Sequence, residues 1–160
     1  MRLARLGIVT VVCFVSACAD ARGRSSSSTT TVVAGGTCHQ GAATELPTWA
    51  ADYSGLVGEK VVSANEDVVG VVFADTLRHA AGKTEATNKI LWVVRQPRNG
   101  KPLVISATLD GSDEIATIEQ DAGPGPGEIY PTDMNLPLAG CWHMVLAWDG
   151  NTDTIDLEYR

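Results

Sequence analysis

The last twenty residues constrain the fold most. From Cys141 to Trp148 the chain alternates, with Trp142, Met144, Leu146 and Trp148 on one face and Cys141, His143, Val145 and Ala147 on the other. Asp149-Gly150-Asn151-Thr152 supplies turn chemistry, and Asp153 to Tyr159 alternates again, with Ile155, Leu157 and Tyr159 on the apolar side. Period-two alternation is what a half-buried antiparallel strand requires, and a helix cannot use it. The C-terminal segment therefore reads as a β-hairpin with one face on a core.

The same signals recur upstream. Val61-Val62 and Val68–Phe73 are β-branched runs, and Lys89–Arg95 is an apolar strand bounded by charges. Gln96–Lys101 carries Asn-Gly at its heart, and Pro102–Thr108 returns as a strand, so 89–95 and 102–108 read as a second hairpin. Short strands are expected at 114–119 and 128–130, with Ala122–Gly127 a Gly/Pro linker between them. Helix evidence is thin: only Asp75 to Gly82 offers an Asp cap and a Gly stop. Trp92, Trp142 and Trp148 alternate with aliphatics and are expected in the core, while Trp49, after Pro47, is the freest to be exposed. Short strands punctuated by turns every 8–12 residues predict an all-β fold, an immunoglobulin-like antiparallel β-sandwich, with a small barrel as the alternative.

The N-terminus carries an address. Arg2 and Arg5 precede an apolar stretch from Leu6 to Val15, a signal-peptide layout too short to span a membrane comfortably. Val15-Ser16-Ala17-Cys18 resembles the lipobox of bacterial lipoproteins, in which the cysteine is lipidated and the signal is cut just before it. Ala17-Cys18-Ala19 also satisfies the A-x-A pattern of an ordinary secretory signal. Lipidation at Cys18 is favoured because residues 22–31, Arg-Gly-Arg followed by four serines and three threonines, suit a flexible tether. The expected organisation is a signal peptide at 1–17, a tether at 18–37 and a β-sandwich domain at 38–160.

Composition argues against nucleic acid as a partner. The chain has 12 Lys and Arg against 19 Asp and Glu. Loss of residues 1–17 removes two arginines and no acid, so 12 becomes 10 and the net charge of −7 becomes −9. Such a chain does not neutralise phosphates or grip an anionic lipid surface, so the lipid itself must anchor it. Cys13 leaves with the signal and Cys18 takes the lipid, which leaves Cys38 and Cys141; in an exported domain that pair is most simply a disulfide.

Residues that could carry chemistry are sparse. His39, His79 and His143 form no ligand motif, and no C-x-x-C occurs, so no metal site is expected. Asp149-x-Asn151-x-Asp153 opens like a calcium loop, but Thr154 stands where the glycine belongs and Arg160 where the glutamate belongs, so it reads as a turn. No G-x-S-x-G elbow is present, no catalytic residue is assigned, and no cofactor is expected. The long connection 75–88 and the turn 110–114 are expected at one pole of the sandwich, where Arg78 and His79 form the candidate binding patch beside Lys83, Asp110, Asp113 and Glu114.

Phe73-Ala-Asp-Thr-Leu-Arg78, Asn88-Lys-Ile-Leu-Trp-Val-Val-Arg95 and Gly140-Cys141-Trp142 ahead of a Trp-Asp-Gly hairpin together resemble a group of bacterial lipoproteins, mainly actinobacterial, without an established activity. The resemblance covers roughly residues 45–160. It implies export and a β fold and carries no mechanism. The function expected is a membrane-anchored extracytoplasmic lipoprotein, a binding or structural module of the envelope held to the membrane by its lipid, with an envelope protein as its possible partner. An envelope hydrolase and a ligand sensor with a membrane partner are the alternatives.

Overall fold

The computed structural model describes residues 38, 43–80, 88–95, 99–124 and 129–160. Eight strands follow in order: β1 (Glu59–Val62), β2 (Val68–Val72), β3 (Lys89–Val94), β4 (Leu103–Leu109), β5 (Ile115–Gln120), β6 (Ile129–Asp133), β7 (Gly140–Trp148) and β8 (Asn151–Tyr159). They form two antiparallel four-stranded sheets, β1-β2-β3-β6 and β5-β4-β7-β8, which pack face to face as a β-sandwich. The chain crosses between sheets from β3 to β4, returns from β5 to β6 and crosses again from β6 to β7, while β3 lies beside β6 and β4 beside β7. That interlock of two crossing pairs is the central arrangement of immunoglobulin-like sandwiches. No described strand of one sheet pairs with a strand of the other, so the sheets do not close into the barrel that was the alternative.

One expected hairpin is not formed. Lys89–Val94 and Leu103–Leu109 belong to different sheets: β3 pairs with β2 and β6, β4 with β5 and β7. Between them lie eight residues, enough chain to cross the roughly 10 Å between packed sheets, whereas a tight hairpin needs about two. Both strands are also buried over most of their length, which an interior position in each sheet explains.

The C-terminal hairpin forms as expected, from Gly140↔Tyr159 down to Trp148↔Asn151. Its turn is tighter than the four residues expected. Asp149 and Gly150 both take positive φ, 43° and 83°, as a two-residue type I′ turn demands. Trp142, Met144, Leu146, Ile155 and Leu157 enter the core with Trp92, Tyr130 and Tyr159. Gly70 is required on β2, because a Cβ there would stand 2.7 Å from the Trp92 ring and 2.8 Å from Val61.

No helix forms over the described part, 75–80, of the segment 75–82. The chain bends at 74–76 and has no regular element at 77–80, with His79 N–H bonded to Arg160 O and Ala80 N–H to Leu136 O; Ala81 and Gly82 lie outside the described residues. Intersegment bonds there replace the local ones a helix would need. A 3-10 turn forms instead at Thr48–Tyr53. It buries Ala50, and Val69, Val71 and Val93, whose places alternate with the core positions of β2 and β3, are buried as well. β2 is therefore buried at all five positions, the pattern of a strand covered on both faces. Trp49 is half-buried rather than free, with Nε1 donating to Glu66 O at 2.9 Å.

Candidate functional site

Cys141 opens the outward face of β7, and Cys38 lies at disulfide-bonding distance from it, with Cα atoms 5.4 Å apart across 103 residues. The pair lies at the end of the sandwich where β7 begins and β8 finishes. Asp110 N–H donates to Cys141 O there at 2.9 Å, so the turn 110–114 belongs to the same end. The expected signal peptide at 1–17, Cys18, the expected tether at 18–37, His39 and Lys83 fall outside the described residues.

Arg78 and His79 also lie at this end. Arg160 N–H donates to Leu77 O at 2.9 Å and His79 N–H to Arg160 O at 3.1 Å, so residues 77–79 run along the end of β8. Asn88 holds the segment from the other side. Its Oδ1 accepts the Arg78 N–H at 2.9 Å and its Nδ2 donates to Arg78 O at 2.5 Å. Buried Asn88 thus acts as a side-chain substitute for a strand neighbour and presents Arg78 and His79 outward, both exposed. Sequence reasoning placed Asn88 only at the end of a long loop; the signal is an asparagine directly before a buried strand.

The expected patch is only partly assembled. Arg78 and His79 share a pole with Asp110, Asp113 and Glu114, although the reason differs from the expected hairpin. The starts of β7 and the end of β8 stand between the two groups, about three strand spacings or 14 Å, and no ion pair joins them among the described residues. Beside Leu77 lies a cleft of about 260 Å³ between the β1 and β8 edges. Val61, Val72, Leu77 and Leu157 line it with apolar surface, and Glu59, Asp75, Glu158 and Arg160 supply its charges. No group of three potential metal ligands occurs among the described residues.

A second arrangement was missed in the sequence. His143 Nδ1 lies 2.7 Å from Asp156 Oδ1, on the outward face of the last hairpin. Folding that hairpin about Asp149-Gly150 puts 143 opposite 156, so the register held the signal. Thr108 follows on β4, opposite His143. The row lies on an open sheet face, and no described residue bonds Nε2 of His143, so a base and its orienting acid are present without a positioned nucleophile.

The most densely bonded polar group is structural. Asp153 is 2% exposed, and its carboxylate accepts the N–H groups of Asn65 at 3.0 Å, Asp67 at 3.2 Å and Thr154 at 2.8 Å, together with Asn65 Nδ2 and Ser63 Oγ. It fastens the β1–β2 turn of one sheet to β8 of the other, at the pole opposite Cys141. Asp153 is thus a clasp between the two sheets, its carboxylate taken up by protein donors. Comparison with known protein families, characterised proteins and solved structures finds no match to this chain.

Proposed function

We propose that this protein is a membrane-anchored extracytoplasmic lipoprotein whose β-sandwich serves as a binding module of the cell envelope. The observation that carries the reading is the approach of Cys38 to Cys141. A cysteine pair at bonding distance belongs to an oxidising compartment, and the lipobox-like Val15–Cys18 supplies the route there. Cys38 directly follows the polar segment 18–37, so the tether joins the fold at the pole that carries Arg78 and His79. Loops held still by a sandwich are a usual place for recognition.

The test has two arms. Cys18→Ala should lower the mature mass difference expected of a lipid and release the protein from the membrane fraction. A membrane-bound Cys18→Ala protein of unchanged mature mass would overturn the anchor. Arg78→Ala with His79→Ala should leave the melting temperature within about 2 °C and weaken in-cell crosslinking to an envelope partner. Crosslinking at full yield would move the contact surface away from this pole.

A further inference from the structure

Three of the four sheet edges are closed by the protein itself. β1 carries Lys60, whose carbonyl accepts the Ala43 N–H at 2.7 Å. β6 contains Pro131 and is bonded at Ile129 O by Gly123 N–H at 2.6 Å. β8 is covered at Thr154 O by Ala64 and around Arg160 by Leu77 and His79. β5 differs. Beyond its ladder to β4, none of the described residues bonds the backbone of Ile115–Gln120, and the strand contains no Lys, Pro or Gly. Those are the devices that normally blunt an edge, because a bare row of N–H and C=O groups is a template for another strand.

Charge decides which strand this template suits. From Leu103 to Tyr159 the sequence has eleven Asp and Glu and no Lys or Arg. That span contains the whole β5-β4-β7-β8 sheet. Asp113 and Glu114 precede β5, Glu119 lies within it and Asp121 follows it. Two copies meeting at this edge would bring like charges together, which opposes self-pairing, whereas a cationic strand is attracted. The side chains add a second requirement. Ile115, Thr117 and Glu119 are exposed, Ile115 at 66%, while Ala116 and Ile118 pack against the core. A strand laid alongside must alternate in the same way, with small apolar side chains beside Ala116 and Ile118 and cations toward Glu119.

We propose that β5 is a docking edge for an extended cationic segment of a partner protein, which adds to the sheet as a further strand. Backbone bonds supply the attachment and the alternation of apolar residues with Lys or Arg supplies the selectivity. This goes beyond the anchored-module reading and does not depend on the lipid.

The probe is a nine-residue peptide alternating lysine and valine, with its glutamate–valine counterpart as control. Amide hydrogen exchange is followed by mass spectrometry on the full mature chain at low salt. The lysine peptide should slow exchange within 115–120 at least tenfold, and the glutamate peptide should not. Glu119→Lys with Asp121→Lys should weaken the lysine peptide at least tenfold, and so should raising the salt on the unmodified chain, which decides the matter if the double variant folds poorly. No slowing, slowing confined to other segments, or equal binding of both peptides would overturn the proposal. So would slow exchange, in the free chain, of those amides of 115–120 that the ladder to β4 leaves unbonded, which would mean that the protein covers this edge itself, or slowing that grows with protein concentration, which would mean a second copy.

Discussion

Replacing Asp153 by alanine tests whether the two sheets are joined by a buried carboxylate as well as by apolar packing. Five donors lose their acceptor. Thr154 N–H and Asn65 Nδ2 are half-buried or exposed and can turn to water, and Ser63 Oγ retains Val68 O at 3.0 Å. The N–H groups of Asn65 and Asp67 are the costly ones, because they bind the turn of one sheet to a side chain of the other. At about 1.5 kcal/mol for each bond to a charged acceptor, with about 1 kcal/mol for the Ser63 bond, the loss is about 4 kcal/mol. The variant no longer pays to bury a carboxylate, which brings the expected cost to about 2–4 kcal/mol. Urea denaturation at neutral pH measures it, and a double-mutant cycle with Ser63→Ala should give a coupling of at least about 0.5 kcal/mol. A loss below about 0.5 kcal/mol, or strict additivity with Ser63→Ala, would refute the clasp.

Leu146, fully buried, should cost about 2–5 kcal/mol on truncation to alanine, read as a fall in the urea midpoint. Gly70→Ala should cost about 1–3 kcal/mol through overpacking against Trp92, and a neutral result would show that the ring can shift freely. Reduction of the Cys38–Cys141 pair should lower stability by about 2–5 kcal/mol, with the chain-entropy value for a loop of 103 residues at the upper end; a transition unchanged by reductant would show that the pair is not bonded. Burial pushes the Tyr159 hydroxyl well above the ordinary phenol value of 10.0. Above pH 10 the unfolded chain loses this proton first, so stability is full below that pH and falls with rising pH, by at most about 1.4 kcal/mol per unit. Tyr159→Phe should remove this alkaline slope while costing about 1 kcal/mol through the unpaired Met134 carbonyl.

Fold class was legible in the residues because alternation is a local property. Each expected strand from 61 to 159 appears within a few positions, and the alternating apolar residues of β7 and β8 named the face that would be buried. The hairpin 141–159 was legible as a hairpin, but the expected four-residue turn would set 143 opposite 158, and only the two-residue turn at Asp149-Gly150 sets it opposite Asp156. The 95–102 connection shows where such reading stops. Asn99-Gly100 marks a turn, but the choice between pairing β3 with β4 and sending them to different sheets depends on β2, β6, β5 and β7, all competing for the same edges. Segment 75–80 has the local marks of a helix, but its backbone bonds go to Arg160 and Leu136, far away in the chain. Asn88 and Asp153 likewise look like loop and turn residues, and only their distant partners make one the brace behind Arg78 and the other the clasp between sheets. The chain's periodicity and turn residues thus determined that it is a β protein and which side chains face inward, since each strand reports its own two faces. The tertiary structure decided which strands become neighbours and which polar groups are buried, since backbone bonding between segments distant in sequence has no local signature.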